Sequence, residues 1–170
     1  MLYVGIDNGV SGSIAVLNST SVIYFSPTPI ARCLNYTKKR QFLNRIDGRK
    51  LTEILERYQG DCICYIERPM INPTRWKASV SAIRALEATL IILESLVIPY
   101  YYIDSKEWQK ELLPRHSKED ANLKFMACEV AKRIFPKLFR EQKIKDADGL
   151  LIAEYARRKH SSNRIKLWKK

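Results

Sequence analysis

LYVGIDNGVSGSIAVL, residues 2–17, decides the fold. Two apolar runs, 2–6 and 14–17, flank a turn of Asn, Gly and Ser, the pattern of two strands joined by a hairpin. Asp7 is out of keeping. A carboxylate ends the first run, where Asp is depleted. Asp-Asn-Gly is also good turn chemistry, so on local grounds Asp7 reads first as a turn residue.

Working outward, residues 2–7, 12–18 and 21–26 read as an antiparallel meander ended by Pro27 and Pro29. Residues 32–50, RCLNYTKKRQFLNRIDGRK, read as a basic loop, and 49–58 as a short helix with Leu51, Ile54 and Leu55 on one face. Gly60-Asp61 turns into CICYIE, a strand at 62–67, followed by the polar loop MINPTRWK. The helix at 78–96 is apolar nearly all round apart from Ser81, Arg84, Glu87 and Glu94. It is expected to be buried on most sides, in the core or against a second subunit. PYYYID, 99–104, is a fifth strand, and Ser105 can cap the helix SKEWQKELL. Ser117-Lys118-Glu119-Asp120 resembles a capping box opening a helix to about Ile134. A last helix starts near Asp146 and runs through LLIAEYARR.

The order β-β-β-α-β-α-β-α-α-α predicts an α/β fold. Its five-stranded mixed sheet has three antiparallel strands followed by parallel ones, with helices on both faces. This is the strand order of the ribonuclease H-like fold, and fold alone does not fix function. Residues 1–158 form the expected domain and 159–170 a basic tail.

The 170 residues carry 30 Lys+Arg against 18 Asp+Glu, a formal charge of +12 that favours a polyanionic partner, nucleic acid before an acidic membrane surface. Asp7 interrupts the one apolar N-terminal stretch, so no secretory signal is expected. Arg84, Glu87, Glu94 and Pro99 break the most apolar region, so no bilayer span is expected. Cys33, Cys62, Cys64 and Cys128 lack zinc-ligand spacing, and Cys62 and Cys64 share a strand face as buried thiols would. The expected location is intracellular.

Four acids stand where such a sheet converges: Asp7 ends the first strand, Glu67 the fourth, and Asp146 and Asp148 open the last helix. Adjacent carboxylates repel, and a divalent cation removes that problem; hard oxygen ligands suit Mg²⁺ or Mn²⁺. Each acid has an ordinary reading too: a turn for Asp7, an ion pair with Arg68 or Lys77 for Glu67, an N-cap for Asp146.

GIDNGVSGSIAVL, CICYIERP and DADGLLIAEYARR together resemble the RuvC family of Holliday-junction resolvases, and more closely its bacteriophage members; IDSKEWQKELLP is similar as well. The likeness covers roughly residues 2–158. It implies a homodimeric endonuclease that cuts branched DNA with Mg²⁺, two ions per site, leaving 5′-phosphate and 3′-hydroxyl ends. One ion would activate water and the other stabilise the leaving oxygen. Asp7, Glu67 and Asp148 match family acids. Bacterial members space their two C-terminal ligands three apart, which falls on Lys145 here, so Asp146 is the natural substitute. An i, i+2 pair does not share a helix face, so Asp146 is expected in the non-helical lead-in or acting through water. Phage resemblance implies a bacterial host cytoplasm.

Three basic regions, 38–50, 68–77 and the tail from Arg157, offer phosphate contacts. Arg75, Trp76 and Lys77 follow Glu67 closely, and Trp76 could stack on an unpaired base or pack against the sheet edge or a partner. Lys106 and Lys110 match a region where family lysines contact phosphate, or are solvated helix charges. His116 and His160 read as surface residues. The 78–96 helix is the candidate dimer surface. A non-catalytic basic junction-binding module is the main alternative. A kinase-like ATPase, whose phosphate turn also begins Asp-x-Gly, would need a second such domain.

Overall fold

Short buried apolar runs build one five-stranded sheet, three N-terminal strands set beside two later ones. The computed structural model describes residues 1–35, 40–114 and 122–167, with 162–167 as backbone alone. Strands β1 (Leu2–Ile6), β2 (Ser13–Leu17) and β3 (Val22–Pro27) form the meander, with Ile6 opposite Ile14 and Val16 opposite Tyr24. Strand β6 (Cys62–Glu67) runs parallel to β1 with Ile66 beside Ile6, and β7 (Tyr100–Ile103) runs parallel to β6. The expected mixed sheet is therefore present, antiparallel on one side of β1 and parallel on the other.

Alternate side chains serve two cores. Val4, Ile6, Ile14, Cys64 and Ile66 face helices α1 (Gly48–Leu55) and α2 (Trp76–Ser95). Tyr3, Ala15, Leu17, Ile63 and Tyr65 face α3 (Ser105–Leu112), α4 (Leu123–Ile134) and α6 (Asp148–Leu167). Helix α6 lies across β1 and β2. It approaches so closely that a Cβ on Gly5 would stand 2.3 Å from both Ala153 N and Gly149 O. Any side chain at position 5 would push the helix, and the acids at its start, off the sheet.

Several local expectations are corrected. Residues expected as a basic loop form a second, two-stranded sheet, β4 (Ile30–Leu34) with β5 (Phe42–Ile46). Arg32 lies over the Phe42 ring at 4.5 Å, so charged residues belong to this hairpin. Helix α3 is capped not by Ser105 but by Asp104, which with Glu107 makes a reciprocal capping box. Helix α4 begins at Leu123, where the Asn122 side chain accepts from Phe125 N–H. The proposed box at 117–120 and His116 lie outside the described residues. A short helix α5 (Pro136–Glu141), opened by a proline at its first position, precedes α6. Helix α2 is not buried on most sides: Ala85, Thr89, Ile92 and Leu93 face the core while Trp76, Ile83 and Ile91 are exposed.

Cys62 and Cys64 are buried, and all four cysteines are free thiols. No helix among the described residues is long and apolar enough to cross a membrane.

Candidate metal centre and nucleic-acid interface

Asp7 follows β1 directly, and its backbone N–H donates to Ser13 O at 3.0 Å, closing the turn. Gly12 is required there, because a Cβ would meet Asp7 O at 2.1 Å and Asp7 Oδ2 at 3.1 Å. The glycine in this turn thus makes room for Asp7 itself. On the neighbouring strand Glu67 lies one step beyond the Ile6–Ile66 pair, beside Asp7. Asp148 is the first residue of α6, and Asp146 precedes the helix, in the non-helical lead-in.

One oxygen from each of Asp7, Asp146 and Asp148 lies within 4.8 Å of the others. Glu67 stands outside that trio, and Trp108 Nε1–H donates to its Oε2 at 3.2 Å. Trp108 is fully buried on α3, so its indole N–H needs this acceptor and fixes the carboxylate in return. Ser13, buried on β2, donates to Asp146 Oδ1 at 3.0 Å and accepts from Gly149 N–H at 3.1 Å. Asp148 N–H also donates to Asp146 Oδ1, at 3.2 Å, so the carboxylate both caps α6 and faces the cluster.

Burial, then the charges of Asp146, Glu67 and Asp148, pushes the Asp7 carboxyl up to about 8, against the pull of Lys124. Glu67 is pushed up to about 7 mainly by burial, although the Trp108 hydrogen bond works the other way. Asp148 is raised by burial and then by Asp146. Burial first and the neighbouring carboxylates second thus oppose ionisation of these acids.

Lys124, in the first turn of α4, is the counter-charge. Its ammonium contacts Asp146 directly and lies 3.5 Å from Asp148 and 4.0 Å from Asp7. Burial alone would lower its pKa, but the hydrogen bond to Asp146 and the three negative charges raise it. The donor set is all carboxylate oxygen, hard and clustered, and it fits a divalent cation.

Among the expected nucleic-acid contacts, Arg75 immediately precedes α2, Trp76 and Lys77 open it, and all three are exposed, Trp76 to 67%. Trp76 therefore does not pack on the sheet edge. With Lys77 it lines a groove of about 510 Å³ against Asn35, Gln41 and Asn44 of the β4–β5 hairpin. The described contacts do not join these residues to the acids. The turn after Asp7 does connect with α2: Asn8 Nδ2 donates to Ala82 O at 3.1 Å. Lys106 and Lys110 lie on the exposed side of α3, whose opposite side buries Trp108. Arg68 pairs with Asp104 at 3.5 Å, leaving Glu67 to Trp108. His160 lies edge-on to Tyr65 rather than free on the surface.

Sequence reasoning missed Ser13, Trp108 and Lys124. A buried Trp on an otherwise charged helix signals a partner for its N–H. A lysine in the first turn of a helix is a misplaced charge against the dipole. That second signal was hidden because the helix was expected to start at Ser117.

No protein-family model matches the chain, and no curated protein does. Solved structures do. The chain is similar to Thermus thermophilus RuvC in complex with a Holliday junction substrate, at a TM-score of 0.60 and 14% identity over 90% of each chain. A second Thermus thermophilus RuvC structure matches at a TM-score of 0.54 and 14% identity, over 90% of this chain and 91% of that one. The sheet order, the crossing of α6 over β1 and these likenesses agree: the chain has a RuvC-like fold, of the ribonuclease H-like kind.

Proposed function

We propose that this protein is a metal-dependent endonuclease that cuts branched DNA, four-way junctions foremost. One observation carries the reading: three aspartates from two distant parts of the chain meet within 4.8 Å at one end of the sheet, with Glu67 beside them. A protein that only bound DNA would gain nothing from placing carboxylates where phosphates must come.

Asp7, Asp146 and Asp148 would hold the metal, with Glu67 completing the site for two ions. Mg²⁺ is the proposed cofactor and Mn²⁺ a substitute. Bound there, the metal supplies water activation and stabilisation of the leaving 3′-oxygen, giving 5′-phosphate and 3′-hydroxyl ends. Ser13 holds Asp146 in place, and Trp108 fixes the direction of Glu67. Arg75, Lys77, Lys106 and Lys110 would contact phosphates, and Trp76 would stack on an unpaired base. Residues 1–158 would be the nuclease unit and 159–170 a basic extension. A homodimer through the outer face of α2, where Ile83 and Ile91 are exposed, would set two sites against two strands. The proposed setting is a bacterial host cytoplasm, as the phage resemblance suggests.

The non-catalytic reading draws on Lys124, which already pairs with the acids without a metal. A labelled four-way junction and a linear duplex of the same sequence, each with Mg²⁺ or EDTA, separate the two. The nuclease reading expects Mg²⁺-dependent cutting of the junction over the duplex. Binding of the junction with no cutting of any branched substrate supports the binder. Equal cutting of both keeps the nuclease and removes the junction preference.

A further inference from the structure

We propose that Lys124 is a removable internal counter-ion: it holds Asp7, Asp146 and Asp148 together before metal arrives, and metal entry expels it. The inference rests on reading the acids as a divalent-ion site.

The geometry is one-sided. The carboxylates of Asp7, Asp146 and Asp148 are 16%, 16% and 14% exposed, while the Lys124 side chain is 59% exposed. The acids therefore form the floor, and the ammonium closes the cluster from the solvent side. Every ion pair of these three acids among the described residues is to Lys124. A monovalent ammonium facing three carboxylates leaves the cluster net negative. A divalent ion that several oxygens can bind at once is the better match, and the two cations cannot share the position.

Lys124 also has somewhere to go. It borders a groove of about 520 Å³ between α4 and the segment leading to Asp146, lined also by Phe125, Cys128, Lys132 and Lys145. Swinging outward takes the ammonium into water without unpacking the core, because the buried anchors of α4 are Ala127 and Ala131, one and two turns further along the helix. A lysine in the first turn works against the helix dipole, so its position depends on the acids. The cost of gathering the carboxylates is thus met in the metal-free protein by a group that metal can replace.

The experiment uses the full chain with no DNA. Reductive methylation followed by mass spectrometry reads the reactivity of each lysine in EDTA and in saturating Mg²⁺. Lys124 is expected to react about fivefold faster or more with metal, while exposed Lys106 and Lys110 on α3 stay constant. Unchanged or slower reaction of Lys124 overturns the proposal. Calorimetric titration with Mn²⁺ adds a second reading: Lys124→Met should bind about tenfold tighter than the wild type, since its competitor is gone. Equal or weaker binding overturns the proposal. If neither protein binds metal, the nuclease reading and this one fall together. If metal binds and Lys124 stays protected, only this one falls. Should Lys124→Met not fold, the wild-type labelling decides alone.

Discussion

Helices α2 and α6 are each 20 residues long and cover opposite faces of one sheet, yet they are held in different ways. From Gly149 to Ala156 every residue of α6 is buried, and its backbone touches β1 at Gly5. Helix α2 buries one stripe and leaves Trp76, Ile83 and Ile91 in solvent. The helix that delivers acids is fixed by backbone contact, and a sub-ångström shift there would be felt at the site. The helix facing outward has an apolar side to offer a partner.

The largest expected effect breaks the α6 side chemically. Asp148→Asn keeps the shape and removes a ligand charge, and should lower junction cleavage by about a thousandfold or more in single-turnover assays. Gly5→Ala attacks the same contact sterically. Its Cβ meets backbone that cannot yield, so about 3 kcal/mol of destabilisation is expected, read as a melting-point loss of about 6–12 °C. Ser13→Ala is milder: the fold survives, Asp146 loses its buried partner, and cleavage should drop about tenfold with a stability loss of about 1–3 kcal/mol. On the α2 side, Ile83→Glu should leave melting within about 2 °C, since the residue is exposed, while light scattering shows loss of dimer. A monomeric wild type would remove the proposed role of that face.

The acids also give the metal-free protein a pH signature. Asp7 rises from 3.8 to about 8 and Glu67 from 4.5 to about 7, so over that window the folded state holds protons that the unfolded state has lost. Their contribution is fully present below about pH 4 and is lost as pH rises through about 8. Melting in EDTA should therefore be lower at about pH 8 than at about pH 5, and Mg²⁺ should narrow the gap.

The sheet was legible because strands covered on both faces read as short continuous apolar runs, and CICYIE and LYVGI do so cleanly. The hairpin at 30–46 was not, because neither of its strands is fully covered and Arg32, Asn44 and Arg45 break the apolar signal. The acids were legible as charges at the ends of apolar elements, and Asp146 lies in the non-helical lead-in, one of the two placements its spacing left open. Ser13 was not, since a single hydroxyl in SIAVL carries no period. Lys124 depends on where α4 begins, a boundary set by the Asn122 cap rather than by Ser117.

The account's central claim is that Asp7 serves chemistry rather than the turn. The most direct test is single-turnover cleavage of a labelled four-way junction in saturating Mg²⁺ by wild type and Asp7→Asn, with junction affinity and melting temperature measured on the same preparations. The account predicts cleavage by wild type, a loss of about a thousandfold or more in the variant, and unchanged binding and melting within a few degrees. A variant that cuts like the wild type would contradict it, as would a wild type that leaves the junction whole.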